Sequence, residues 1–282
     1  MPVSSEMRIA LVGGGKMGEA IMGGLMAAEC APADMLDAHN FVVANPGQER
    51  RDYLTHRYGV ECVADARDIE GADVVILAVK PQVMMGVLEG IAALPAYGGG
   101  SGGPLFVSIA AGLATERLEG ALPDGSRLVR TMPNTPLLVG EGATAVAGGA
   151  NAAEADVDLV RALFACLGQA FVVAEDDIDA TGAVSGSGPA YVAALVEALR
   201  DAGARQGLDP QLAEELAFQT VYGTASLMKR TGQDAETTRR AVCSPGGSTL
   251  AALAAMAEAG FAESLDAGVD AAVRRSKELG AC

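Results

Sequence analysis

Gly13, Gly15 and Gly18 stand at the spacing Gly-x-Gly-x-x-Gly, directly after the apolar run 8–12 and directly before a stretch with helical apolar spacing (Ala20, Ile21, Leu25, Met26). That context gives three glycines a chemical meaning. The first permits a tight turn, the second lets backbone approach a pyrophosphate, and the third lets helix and strand close up. Phosphates then meet the unpaired N–H groups of a helix N-terminus, Lys16 and Met17 among them, where the dipole favours negative charge. A ligand-free glycine turn is the plain alternative, and the flanking elements argue against it. The sequence therefore predicts a dinucleotide site on Gly13, Gly15, Lys16, Met17 and Gly18.

The residues after the next apolar run, 41–44, select the cofactor. NAD sites place a carboxylate there for the ribose 2′-hydroxyl. This chain has Asn45-Pro46, with Arg50 and Arg51 a few positions on. Nothing repels a 2′-phosphate, and a guanidinium can pair with one bidentately. NADP(H) is the expected cofactor, with NAD(H) as the second option and a solvated helix face as the plain reading of the arginines.

Two further glycine-rich stretches follow, Ser185-Gly186-Ser187-Gly188-Pro189-Ala190-Tyr191 and Ser244-Pro245-Gly246-Gly247-Ser248-Thr249. Each is a hydroxyl-rich turn running toward helical spacing, and such a turn offers N–H and O–H donors to a carboxylate or phosphate. One alone would be an ordinary helix cap. Two of them beside a dinucleotide domain point to a substrate pocket.

The elements that must position these turns fall into two blocks. Through 171–173, short apolar runs (8–12, 41–44, 73–79, 105–109, 128–131, 143–147) alternate with helix-length segments. This is the pattern of an α/β fold with a Rossmann-type doubly wound sheet. After 178 no strand is expected, and helical periodicity runs through 190–203, 212–229, 250–259 and 261–279. The expected division is a dinucleotide-binding domain over 1–174 and an all-helical domain over 175–282, with a flexible loop at 97–104.

Composition narrows the function. A net charge of -16 over 282 residues argues against nucleic acid. Only His39 and His56 are available, and the five cysteines (30, 62, 166, 243, 282) have no metal-ligand spacing, so neither a metal site nor a Ser-His-Asp triad is expected. The cysteines read as free thiols of a reducing compartment. Residues 1–8 lack the apolar core of a signal peptide, and no apolar run is long enough to span a membrane. A cytoplasmic protein with a small-molecule substrate is the expectation.

Six motifs in order resemble the pyrroline-5-carboxylate reductase family: the glycine turn, Ile76-Leu77-Ala78-Val79-Lys80-Pro81-Gln82, Ser108-Ile109-Ala110-Ala111-Gly112, Arg130-Thr131-Met132-Pro133-Asn134-Thr135-Pro136, and the stretches 185–191 and 244–249. The likeness runs from about residue 8 to 275, and its most specific segment is 242–253. It implies reduction of 1-pyrroline-5-carboxylate to L-proline with hydride from NADPH, the last step of proline biosynthesis. It also implies a helical domain that interlocks with a second subunit, giving a homodimer and often a homodecamer. Leu195, Leu199, Leu216, Val221, Leu227 and Met228 are then interface candidates.

By the same resemblance, Ser244, Gly247 and Ser248 hold the substrate carboxylate, and Thr249, the catalytic candidate, sets its hydroxyl by the ring nitrogen. A cap hydroxyl for a helix starting at Leu250 is the competing role. Val79, Lys80 and Pro81 end a strand on the cofactor side, with Lys80 positioning rather than forming a Schiff base. Ala110, Ala111 and Gly112 let the nicotinamide half lie on backbone, and Asn134 offers an amide to cofactor or substrate. Cys243 is expected to pack, with oxidation there as an inhibitory option. Two rivals remain: a β-hydroxyacid-type dehydrogenase, which would need a motif around Lys229 or Lys277, and a non-catalytic dinucleotide sensor, which would not need the second anion loop.

Overall fold

The computed structural model describes residues 4–29, 33–69, 71–94, 97 and 102–280. Cys30, Cys282, residues 1–3 and half of the expected 97–104 loop, 98–101, lie outside them.

The strands are β1 (Ile9–Val12), β2 (Phe41–Ala44), β3 (Glu61–Val63), β4 (Val74–Leu77), β5 (Leu105–Ser108), β6 (Arg127–Met132), β7 (Gly142–Gly148) and β8 (Gly168–Val172). They form one sheet in the order β3-β2-β1-β4-β5-β6-β7-β8. All neighbours are parallel except β6 and β7, which run antiparallel with Arg130 opposite Ala147. The strand order reverses beside β1, which opens a crevice at the strands' C-terminal ends.

Helices α1 (Lys16–Ala27), α2 (Gln48–Tyr58), α3 (Pro81–Ala92), α4 (Thr115–Glu119) and α5 (Glu154–Ala165) connect the strands. The central strands are buried at every position, which is why they read as continuous apolar runs rather than alternating ones. Successive residues face opposite cores. Ile9, Leu11 and Ile76 pack with Ile21 and Leu25 of α1, while Ala10, Val75 and Leu77 pack with Met84 and Leu88 of α3. Fully burying a side chain such as Leu88 contributes about 1.5–3 kcal/mol.

β3 was not legible. It has three residues, none buried, and carries Glu61, so no apolar run marks it.

The remaining helices are α6 (Ile178–Thr181), α7 (Gly188–Arg205), α8 (Pro210–Thr231), α9 (Ala235–Ala241), α10 (Ser248–Glu258) and α11 (Phe261–Gly280). Local chemistry sets their ends. Asp209 caps α8 by accepting from the N–H groups of Gln211 and Leu212, and Gly232, at φ +68°, closes it in the left-handed conformation that glycine adopts without strain. Asp234 then caps α9 at Thr237, so the polar segment 233–236 starts a short helix.

Two compact units result. One takes in the chain to Gly186 and again from Ala272 onward; the other is Ser187–Ala271. The sheet unit thus includes α6, beyond the expected boundary at 174, and recovers the end of α11.

Within the helical unit very little is buried. Ala213, Ala217 and Thr238 are, whereas Leu199, Leu216, Phe218, Tyr222 and Leu227 stand at 43–62% exposure. Among the interface candidates, Leu195, Val221 and Met228 are half-buried. A single copy of these helices cannot cover its own apolar faces.

Candidate active site

The glycine turn has the geometry its spacing requires. Gly13 has φ +109°, and a Cβ there would lie 2.7 Å from the Ala78 carbonyl oxygen. On Gly18 a Cβ would meet the Gly13 oxygen at 2.3 Å, so helix and turn touch through backbone; Gly15 faces open space. No side chain caps α1 at Gly15, which leaves the first-turn N–H groups of Lys16 and Met17 for a ligand. A cradle that any Cβ would fill, under an uncapped helix start, fits a dinucleotide pyrophosphate.

A cleft of about 710 Å³ extends from Val12, Gly13 and Gly15 past Ala44, Asn45 and Pro46 to Asp65, Arg67, Val83 and Val87. A second, of about 440 Å³, is lined by Lys16, Met17, Val79, Lys80, Pro81, Ile109, Ala110, Ala111 and Asn134, among others. The structure brings the predicted residues Gly13, Gly15, Lys16, Met17, Asn45, 79–81, Ala110, Ala111 and Asn134 to these two clefts, while Gly18 lines neither.

Three predicted cofactor residues have particular surroundings. Arg50 lines neither cleft; its Nε donates to the Gly14 carbonyl at 2.5 Å and its guanidinium is ion-paired with Glu19. Asn134 accepts from the Ala143 N–H at 2.8 Å and donates to the Ser185 carbonyl at 3.0 Å, so most of its amide is engaged inside the fold. Gly112, at φ +77°, lies against the end of α11, where a Cβ would come 2.8 Å from the Ser276 carbonyl oxygen.

The cleft also holds a pair that sequence reasoning missed. Arg67 donates to Asp65 through Nε at 2.9 Å and Nη2 at 2.6 Å. These bonds hold the Asp65 carboxyl down at about 2. Both residues follow β3, the strand that no apolar run betrayed.

In the helical unit, Gly246 is at φ +72° and the Gly247 N–H donates to the Ser244 carbonyl at 3.0 Å. α10 starts at Ser248, and Gly247 is its cap with no side-chain hydrogen bond. The expectation of a helix starting at Leu250 is therefore corrected by two residues. Thr249 lies inside the first turn, and its hydroxyl does not cap the helix. The loop 244–249 presents an uncapped helix start with Ser244, Ser248 and Thr249 beside it.

The stretch 185–191 is different. Residues Gly182–Gly186 form a π-helical turn and Ser187 is right-handed helical. The expected open turn is almost continuous helix, because backbone N–H groups find partners within it and Ser185 Oγ back-bonds to the Thr181 carbonyl at 2.8 Å.

Two family models match separate parts of the chain. Residues 8–112 match the family described as NADP oxidoreductase coenzyme F420-dependent, and residues 175–279 match pyrroline-5-carboxylate reductase dimerisation. The pyrroline-5-carboxylate reductase of Synechocystis is 40% identical over 98% of this chain and 99% of its own length. The chain belongs to the pyrroline-5-carboxylate reductase family. The enzyme of Mycobacterium tuberculosis H37Rv is also 40% identical, covering 96% of each chain. Among solved structures, the reductase of Coxiella burnetii superposes with a TM-score of 0.85 at 34% identity, covering 97% of this chain and 98% of its own. That of Plasmodium falciparum, solved with NADP bound, gives 0.83 at 29% identity, covering 99% and 100%.

Membership of this reductase family makes the chain an oxidoreductase whose C-terminal part is a dimerisation segment. No helix among the described residues is long and apolar enough to cross a membrane, and no group of His, Cys, Asp and Glu among them could hold a metal.

Proposed function

We propose that this protein reduces 1-pyrroline-5-carboxylate to L-proline with NADPH, closing proline biosynthesis, and that two uncapped helix starts carry the binding. The observation that supports this most directly is the pair itself: α1 begins at the cap Gly15 and α10 at the cap Gly247, neither satisfied by a side chain. Each offers N–H donors and a favourable dipole to an anion. The first takes the cofactor pyrophosphate; the second takes the substrate carboxylate, helped by Ser244 and Ser248.

Bound NADPH supplies the hydride, and one proton completes addition across the C=N bond. The chain's own part is positioning. Thr249 orients the ring nitrogen through its hydroxyl and is the catalytic residue of this reading. Val79, Lys80, Pro81, Ala110 and Ala111 form the wall beside the nicotinamide, with Gly112 and Asn134 fixing its backbone. A protonated imine already accepts hydride, so a chain with two histidines lacks nothing the reaction needs. Lys229 lies in α8 and Lys277 in α11, neither at a glycine-rich turn, which disfavours a hydroxyacid dehydrogenase with a lysine in that region.

The assembly we infer is a homodimer through the helical domain, extended to a decamer, in the cytoplasm. Oxidation of NADPH by purified protein in the presence of 1-pyrroline-5-carboxylate tests the function. Turnover is expected, with Thr249→Ala losing about 100-fold in kcat. Absence of turnover would refute the assignment, and full activity of the variant would refute the role of Thr249 alone.

A further inference from the structure

Arg50 and Glu19 form a partly buried clamp on the glycine turn. Arg50 lies in the first turn of α2 and Glu19 in the first turn of α1. Arg50 Nε donates to the Gly14 carbonyl at 2.5 Å, Nη2 approaches the Gly15 carbonyl at 3.5 Å, and Nη2 also donates to Glu19 Oε2. The other Glu19 oxygen, Oε1, accepts from the hydroxyls of Tyr53 and Tyr58, both at 3.0 Å. The guanidinium further lies 4.9 Å over the Tyr53 ring. Both oxygens of the Glu19 carboxylate are thereby engaged.

Charge states agree with the geometry. Partial burial pushes the Glu19 carboxyl up, but the bonds from Arg50, Tyr58 and Tyr53 outweigh it and hold the group below its ordinary range. Burial, and then the bond to Glu19, push the Tyr58 hydroxyl up, so it keeps the proton it donates.

A peptide unit is planar, with C=O and N–H pointing opposite ways. Holding the Gly14 carbonyl on Arg50 turns the Gly15 N–H away from Arg50, and holding the Gly15 carbonyl does the same for Lys16. Those N–H groups are the donors a pyrophosphate needs. Arg50 itself is absent from the cleft lining, where the guanidinium is that of Arg67.

We propose that Arg50 is a positioning residue of the phosphate turn, held by Glu19, Tyr53 and Tyr58, and not a ligand of the cofactor's 2′-phosphate. This rests on the dinucleotide reading above and deepens it. A positioning residue acts on the pyrophosphate, which NADPH and NADH share. A 2′-phosphate ligand acts on NADPH alone.

The test measures Kd for NADPH and NADH by reduced-nicotinamide fluorescence on wild-type protein, Arg50→Met and Glu19→Gln, with melting curves to confirm folding. Wild-type binding checks the dinucleotide reading independently. Both Kd values are expected to rise at least about threefold in each variant, with the NADPH/NADH ratio within about threefold of wild type, a change of roughly 0.65 kcal/mol or less in discrimination. Unchanged affinities, or a larger shift of that ratio, overturn the proposal. If Arg50→Met does not fold, Glu19→Gln, which keeps the shape but removes the charge and turns one acceptor oxygen into an NH2 donor, decides by the same criteria.

Discussion

Gly112 and Gly280 meet backbone to backbone: a Cβ on Gly280 would lie 1.9 Å from the Gly112 carbonyl oxygen. Nearby, Arg117 Nη1 donates to the Gly280 carbonyl at 2.6 Å and Ser276 Oγ to Asp179 Oδ1 at 2.9 Å. The end of α11 is therefore fastened to the loop that carries Ala110 and Ala111 into the smaller cleft, the nicotinamide end in the proposed reading. Gly112→Ala places a methyl group 2.8 Å from the Ser276 carbonyl oxygen at a φ of +77°. A loss of about 1–3 kcal/mol is expected, read as a lower Tm, together with a raised KM for NADPH.

Gly18→Ala should be more severe for binding than for folding. Its methyl would meet the Gly13 carbonyl oxygen at 2.3 Å, and relief requires α1 to move off the turn whose N–H groups hold the phosphates. NADPH binding is expected to weaken by at least about 100-fold, the scale of losing two charge-assisted hydrogen bonds, as titration calorimetry would show. Near-normal affinity would mean that the pyrophosphate lies elsewhere.

Arg130 is a buried charge of the sheet unit, with only 4% of its side chain exposed, paired with Glu175 at 2.7 Å and Asp179 at 3.2 Å. Arg130→Met would leave two partly buried carboxylates uncompensated. Removing one partner of such a pair costs about 3–5 kcal/mol, here reduced because both acids keep some solvent contact. Chemical denaturation should show a lower midpoint, with partial recovery in the double variant Arg130→Met, Asp179→Asn.

Arg67 is the arginine on the cleft wall, and its ion pair with Asp65 uses Nε and Nη2, leaving Nη1 outside that pair. Arg67→Ala should weaken NADPH binding by about tenfold, the scale of one charge-assisted contact, and change NADH little. The same pair sets a pH signature. Asp65 titrates at about 2, below the ordinary value near 3.9. Its favourable contribution is complete above that ordinary value and is lost as pH falls through about 2, following proton linkage. Carboxyl NMR should find this low midpoint in the wild type and a higher one in Arg67→Ala, still held below the ordinary value by the N–H of residue 67. The pair is solvated, so its effect on global stability should be small.

The exposed faces of α7 and α8 make the assembly testable. Leu216 and Tyr222 are 51% and 58% exposed in the single chain. Covering each with a partner contributes on the order of 1–2 kcal/mol. Leu216→Arg with Tyr222→Asp should shift sedimentation toward the monomer at micromolar concentration. An unchanged oligomer would place the interface on other helices.

The sequence by itself determined the sheet, the cofactor turn and the family. Buried parallel strands must be apolar on both faces, so runs such as 41–44 and 74–77 announce themselves. The glycines at 13 and 18 are fixed by backbone proximity, which leaves no latitude in residue type, whereas Gly15 faces open space. The helices of the second unit were equally plain from their spacing, apart from the seven-residue α9. Tertiary structure decided what depends on residues distant in sequence. It tied Arg50 to Glu19 across 31 positions and brought Gly112 against Gly280 at the far end of the chain. It also placed Arg67 in the cleft through β3, a strand too short and polar to leave a pattern. Periodicity and local turn chemistry are written residue by residue, whereas the partner of a charged side chain is chosen only when the chain has folded back on itself.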